Sequence, residues 1–541
     1  MRPAIATPAS DPGPRCDGPI AGAFAGLAPD ADDPIRLDAV GEALLRCGLT
    51  WVRRELGTLV ERQTVAAIAP PAENPEHAAL YEGLERFCER EGLESRLSGQ
   101  HDAYEVVLPG RDRAAPVGLL FVVHADVVPV NDPPSLVPAG AVPDGWTVPP
   151  FEVTERDGRL YGRGTEDDKG PMAVAMVVLA ALRAAGIVPP RDVVLAAGTA
   201  EEEDWDGMHR YAEATRAQSV VSLDASFPVV VAESGFVAWG LRVPVAGYRP
   251  GRLRIPAAAE EITHLESGLF LTQIPDRAVL RLRALDGDGP ALAERVRSAL
   301  AQASEERGPD WGITGTVALG EDGEVELALR GVSAHSSLPE QGRNALSGLA
   351  AVASRLALRP NAESAMLAVV GRYFDGDLYG ERAGLAHEDP LMGRLVASPT
   401  KLRVADGFVT LEINMRRPRG RSAVEVRSDL ARLVRDVRRD YGARFEAIPD
   451  VWVGEPHVVD PDSELVRELL AAYREVSGDA AAEAISERGS TYARLFPGAV
   501  SFGPSVPGQP FRGHGADEYI EIDALALMLR AVLSATTRLA L

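Results

Sequence analysis

Apolar residues follow three distinct rhythms along this chain, and each predicts a different kind of element. Between about Leu37 and Leu97 they recur at helical spacing, as in "IRLDAVGEALLRCGLTWVRREL" and "HAALYEGLERFCEREGL". A proline-rich "APPAENPE" separates the two stretches, so the pattern predicts two helices there. Next come near-continuous apolar runs: "YEVVLPG", "VGLLFVVHADVVPV", "RDVVLAAGTAEEE" and "SVVSLDASFP". Each is short, β-branched and closed by polar or turn residues, which predicts strands. "MAVAMVVLAALRAAG" is long and apolar on every face, which predicts a buried helix between the second and third of them. Strands alternating with helices, and apolar on both faces, imply a mixed, mostly parallel α/β sheet covered by helices.

Beyond about Ser234 the rhythm changes to strict alternation, as in "GFVAWGLRVPV", "AVLRLRAL", "EVELALRGVSAHS" and "FVTLEINMRRP". Helical stretches such as "PALAERVRSALAQAS" and "AVEVRSDLARLVRDVRRDY" are interspersed. That texture predicts an α+β domain inserted over residues 235–455, with room for a degenerate duplication. The first domain spans residues 37–234 and resumes at 456–541, where "DSELVRELLAAYREVSG" and "DALALMLRAVLSATTRLA" predict closing helices. Residues 1–36, rich in Pro, Ala, Gly and Asp, read as a disordered arm without the basic start and apolar run of an export signal.

Composition narrows the choice of partner. With 79 acidic against 56 basic residues the formal charge is -23, which argues against nucleic acid or an anionic membrane surface. No apolar run reaches the roughly 20 residues of a membrane-spanning helix. Cys16, Cys47 and Cys88 are sparse and form no CxxC pair, so neither a disulfide framework nor a thiolate metal site is expected, and a cytoplasmic setting fits.

The stretch "LYGRGTEDDKGP" poses the chemical question, because it sets Asp167, Asp168 and Lys169 between a glycine-rich turn and a buried helix. Charges there need a partner or a metal. Polar residues gather at the C-terminal ends of the predicted strands, where open α/β sheets place ligands. "VVHAD" carries His124 and Asp126; "GTAEEED" carries Glu201, Glu202 and Glu203; "SLDAS" carries Asp224; and "RGHGADE" adds His514. Imidazoles and carboxylates together form the hard donor set suited to zinc, manganese or cobalt.

In sequence order, "VHADVVP", "GRGTEDDKGP", "GTAEEEDWDG", "SLDASFP", "GVSAHSSLPEQGRNA", "GSTYAR" and "GHGADE" resemble the motifs of the superfamily of dinuclear zinc aminoacylases, carboxypeptidases and dipeptidases. The resemblance is strongest to the bacterial dipeptidase V branch. It implies two divalent ions per chain, most simply Zn2+, with Mn2+ or Co2+ as alternatives. His124 and Asp224 would hold one ion, Glu202 and His514 the other, and Asp167 would bridge them across a cis peptide to Asp168. Asp126 would take the second ring proton of His124, and Glu201 would be the general base. Lys169 would be a structural ion-pair partner.

On the insertion, His335 would stabilise the oxyanion, and Asn344 and Arg416, with Arg494, would bind substrate. The implied activity is hydrolysis of dipeptides or short peptides with a free N terminus. Aspartate rather than glutamate at 224 favours this over N-acyl amino acid deacylation or carboxypeptidase action on the same centre. A non-catalytic binding role is the remote alternative. Because the insertion is about twice the length of the lid in smaller-lid relatives, the active species is expected to be a monomer. The loop at 130–145 and Asp206 depart from the family pattern.

Overall fold

The apolar run Val117–His124 is a strand buried along almost its whole length, at the centre of a mixed sheet. The computed structural model describes residues 16–28, 31–131, 133–252 and 259–541. These fall into two compact units. One comprises the described residues up to Val231 with Val458–Ile485 and Thr491–Leu541; the other comprises Ala232–His457 and Ser486–Ser490.

In the first unit the strands run in the order Glu94–Ser98, Ala103–Leu108, Val193–Gly198, Val117–His124, Ala217–Ser222, Val500–Ser501. The last four are parallel, and the first two are antiparallel to their neighbours. Glu94–Ser98 lies in the stretch whose spacing predicts helix. It is an edge strand whose side chains are mostly part-exposed, so it carries little apolar signal. The helix Lys169–Ala184 is buried over its first fourteen residues and packs against Leu49–Val60 and Ile522–Ala540. The opposite face of the sheet holds Met208, Tyr211, Tyr492 and Phe496. Gly170 is required near the start of the helix, because a Cβ there would lie 2.1 Å from the Thr165 carbonyl oxygen. The turn that delivers Asp167 can therefore fold tightly over the helix end.

The amino-terminal arm needs correction. Residues 1–15 and 29–30 lie outside the described residues, but residues 16–28 and 31–36 are placed on the first unit. Ile20 and Phe24 are buried, the Trp51 indole N–H donates to the Cys16 carbonyl at 3.0 Å, and Cys16 and Cys47 form a disulfide. No disulfide framework was expected of the three cysteines, and the argument drawn from their sparseness for a cytoplasmic setting falls with that bond. Cys88 is free and buried, and burial pushes its thiol up to about 12. Among the described residues no helix is long and apolar enough to cross a membrane.

The second unit is built on a nine-stranded antiparallel sheet. Its main order is Thr314–Leu319, Val325–Arg330, Arg277–Ala284, Glu260–Ser267, Val396–Ala405, Phe408–Arg417, Gly235–Pro244, Glu446–Ala447. Buried and exposed positions alternate along Arg277–Ala284, as a sheet with one covered face requires. Helices Gly289–Arg307 and Ala345–Ala353 pack on one half of the sheet; Ala362–Tyr373 and Ala423–Tyr441 pack on the other. Two strand-and-helix halves of this kind are what a degenerate duplication would leave. The short excursion Ser486–Ser490, which chain order assigns to the first domain, belongs to this unit. It is tied in by Ser486 Oγ donating to the Leu391 carbonyl at 2.6 Å and by an Arg488–Glu340 ion pair at 2.8 Å.

Candidate metal centre

Three neighbouring parallel strands end within reach of one another, and each delivers acidic or imidazole side chains. His124 is the last residue of its strand, Glu201 and Glu202 follow Val193–Gly198, and Asp224 follows Ala217–Ser222. Asp167 and Asp168, joined by a cis peptide as the resemblance implies, precede the buried helix. His514 comes from the loop before the last strand.

Asp167 sits between the two imidazoles. Its Oδ1 is 2.8 Å from His124 Nε2 and its Oδ2 is 3.2 Å from His514 Nε2. His514 Nε2 is also 2.8 Å from Glu202 Oε1, and His124 Nε2 is 3.9 Å from Asp224 Oδ2. Donor atoms of His124, Asp167 and Glu202 all lie within 4.8 Å of one another, and so do those of His124, Asp168 and Asp224. Asp168 is thus a member of the cluster that the motif reading did not assign. Its Oδ2 accepts the His124 backbone N–H at 3.1 Å, and its Oδ1 is buried without a hydrogen bond. Such a set of hard donors, converging on one carboxylate with an oxygen toward each ring, fits a pair of divalent ions.

The electrostatics describe a site short of positive charge. Burial alone would keep the His124 ring neutral, but Asp126, Asp167 and Asp224 outweigh it and hold its pKa well above the usual imidazole range. His514 behaves likewise beside Glu202 and Asp167. Burial, then the charges of Asp224, Glu202 and Asp126, hold the Glu201 carboxyl well above the ordinary carboxylate range, although His124 opposes them. Burial, then Asp224 and Asp167, do the same to Asp168.

Asp126 faces the second ring nitrogen of His124, as expected, and makes further contacts. His124 Nδ1 bonds the Asp126 main-chain oxygen at 3.0 Å, and the carboxylate lies farther off at 3.5 Å. The carboxylate also accepts the backbone N–H groups of Glu201 at 2.9 Å and Glu202 at 3.1 Å, fixing the turn that carries both. Lys169 departs from its expected ion pair: it is fully buried, its ammonium donates to the Arg62 carbonyl at 2.6 Å, and burial pushes its pKa down to about 7. Glu203 is exposed. Asp206 heads the helix Asp206–Ala214, where an acidic first turn is favoured by the helix dipole. In the 130–145 loop, Gln63 holds Val137 by two 2.7 Å hydrogen bonds.

Arg494 lies in the first unit, on the turn Tyr492–Leu495. His335, Asn344 and Arg416 belong to the second unit. His335 Nδ1 is 2.6 Å from Ser337 Oγ and 3.4 Å from the Ser337 N–H, which can only donate. Accepting at Nδ1 places the ring proton on Nε2. Arg488 steadies the same loop through Glu340 and the Ser337 carbonyl. Asn344 caps the helix Ala345–Ala353, accepting from Leu346 and Ser347 and donating to the Pro399 carbonyl. Arg416 is buried beside Asn414, with its guanidinium 4.8 Å from the Phe236 ring.

Residues 120–538 match the model of peptidase family M20/M25/M40. The chain belongs to this family. It is 32% identical over 411 residues to a putative dipeptidase of Bacillus subtilis strain 168, covering 74% of this chain and 78% of the relative. It is 28% identical over 449 residues to the Beta-Ala-Xaa dipeptidase of Lactobacillus delbrueckii subsp. lactis, covering 82% and 85%. Human carnosine dipeptidase 1 shares the fold at a TM-score of 0.55 and 15% identity, over 93% of this chain and 98% of that one. The M20 metallo-carboxypeptidase Sso-CP2 of Sulfolobus solfataricus does so at 0.51 and 14%, over 90% and 98%. The family peptidase is therefore a hydrolytic enzyme of the dipeptidase branch, and the non-catalytic alternative is set aside.

Proposed function

We propose that this peptidase hydrolyses dipeptides and short peptides with a free N terminus at a centre of two divalent ions. The observation that carries the reading is Asp167, one carboxylate with an oxygen toward each of two histidines that have carboxylate partners of their own. His124 and Asp224 would hold one ion, Glu202 and His514 the other, with Asp167 shared. When bound, such ions polarise the scissile carbonyl and lower the pKa of water from about 15.7 towards about 7. Glu201 takes the proton and returns it to the leaving amine. Asp126 keeps Glu201 and Glu202 in register through their backbone. The Nε2–H of His335 serves the tetrahedral oxyanion. Arg416 and Arg494 are the guanidinium candidates for the substrate carboxylate, and Asn344 orders the start of the helix behind the His335 loop.

Release of free amino acids from a dipeptide panel, measured against N-acetyl amino acids with Zn2+, Mn2+ or Co2+ added back, tests the reading. Dipeptides are expected to be cleaved and acetylated substrates left intact. Cleavage of the acetylated compounds alone would establish the deacylase instead.

The same reading makes the monomer the active species, since an oxyanion donor from the same chain avoids the entropy of association. Mixing His335→Ala chains with Glu201→Ala chains is then expected to restore no activity. Recovery of a sizeable fraction would show that the histidine is supplied by a second chain.

A further inference from the structure

The loop that supplies His514 has no helix or strand from Val506 to Glu518, and both His514 and Asp517 adopt positive φ, at 65° and 54°. Side chains rarely adopt that backbone region, and it persists only where surrounding contacts over-determine it. Thr147 donates its N–H and hydroxyl to the Asp517 carboxylate at 2.7 and 2.8 Å, the Arg163 guanidinium donates to the His514 carbonyl at 3.4 Å, and the segment just before His514 is held by a carboxylate that no motif singled out. Glu166, buried and one residue before Asp167, accepts the backbone N–H groups of Arg512 at 2.5 Å and Gly513 at 3.1 Å through Oε2. Its Oε1 accepts from Ser505 Oγ at 3.2 Å.

The arrangement is reciprocal. Glu518, four residues after His514, returns its Oε1 to the backbone N–H groups of Gly164, Glu166 and Asp167 at 3.0, 3.0 and 3.2 Å. Its Oε2 pairs with the buried Arg163 guanidinium at 2.6 Å. Where the two loops touch there is no room to spare: a Cβ on Gly513 would lie 2.8 Å from Asp167 Oδ2. Each loop carries a metal-ligand candidate, and each is pinned by a carboxylate from the other.

We infer that Glu166 is the positioning residue for His514, and through it sets the affinity of the ion held by Glu202 and His514. The inference rests on the dinuclear reading above. Outer-shell partners of this kind characteristically change metal affinity by about 10–100-fold when removed. Ligands on a loop without secondary structure depend on such partners most.

The test titrates the full chain, stripped by chelator, with Co2+, following d–d absorption and heat. Wild-type chain is expected to take up two ions. Glu166→Ala should keep the first and bind the second about 10–100-fold more weakly, with an altered d–d band for that site. Glu166→Gln, whose amide oxygen can accept the same two N–H groups and whose NH2 can reach Ser505, should stay close to wild type. Glu166→Asp keeps the charge but is one methylene short; it should weaken the second ion as alanine does, and it stands in if the alanine chain does not fold. Unchanged titration in Glu166→Ala overturns the inference. So does a glutamine chain that falls as far as the alanine chain, since charge rather than position would then be at work. A wild-type chain binding fewer than two ions refutes the dinuclear reading itself, and that outcome is visible before any variant is compared.

Discussion

Replacing Glu201 by alanine is expected to lower kcat by about 10²–10⁴-fold while leaving two metal ions bound. The two halves of that expectation come from different parts of the turn. Loss of rate follows because Glu201 has no ligand assignment and stands on the turn beside Glu202, where its carboxyl is available to take and return a proton. Retention of metal follows because the turn is held by its backbone. Asp126 accepts the N–H groups of residues 201 and 202, and the Trp205 indole donates to the Glu201 carbonyl at 2.7 Å. None of these contacts uses the Glu201 side chain, so Glu202 should remain in place beside it. Turnover of a dipeptide and metal content by elemental analysis decide the matter together. An active alanine variant, or one that loses an ion along with its activity, would remove Glu201 from the role.

Glu202→Ala and His514→Ala should have the complementary effect, losing one ion of two and most of the stabilisation that ion supplies. A ligand present at 100 times its Kd stabilises the folded state by about 2.7 kcal/mol, so the holoenzyme variants should melt several degrees below wild type. The metal-free state provides the control. There no ion is held, and Glu202→Ala has one ion fewer to lose than wild type. Chelator should therefore depress the Tm of wild type more than that of Glu202→Ala. Equal metal content, or an equal chelator effect in the two chains, would contradict the assignment of Glu202 as a ligand.

Much of this centre is legible in the order of residues because of the way a parallel sheet is buried. Strands covered on both faces must be apolar along their length, so the first polar residue after each run marks a C-terminal strand end. His124, Glu201, Glu202 and Asp224 all follow such runs, and the sheet brings these ends together. Alternating apolar positions in the second unit likewise marked an antiparallel sheet with one covered face. These patterns are local, and burial writes them directly into the chain.

What the tertiary structure alone decided are the contacts between segments far apart in sequence, where a side chain's partner depends on how two loops meet. Cys16 found Cys47 only because the arm lies against the first unit. The Asp126 main-chain oxygen lies nearer the His124 ring than its carboxylate does, and the carboxylate also accepts from the Glu201–Glu202 turn. Lys169 reached a carbonyl at Arg62 rather than an acid. Asn344, on a motif that suggests substrate binding, spends its amide on a helix end. Glu166 and Glu518 sit in plain view inside quoted motifs, yet their partners are some 350 positions away in the chain and no periodicity points across that distance. Apolar pattern determines which faces are buried and where strands end; the pairing of polar groups is settled only when those ends are packed together.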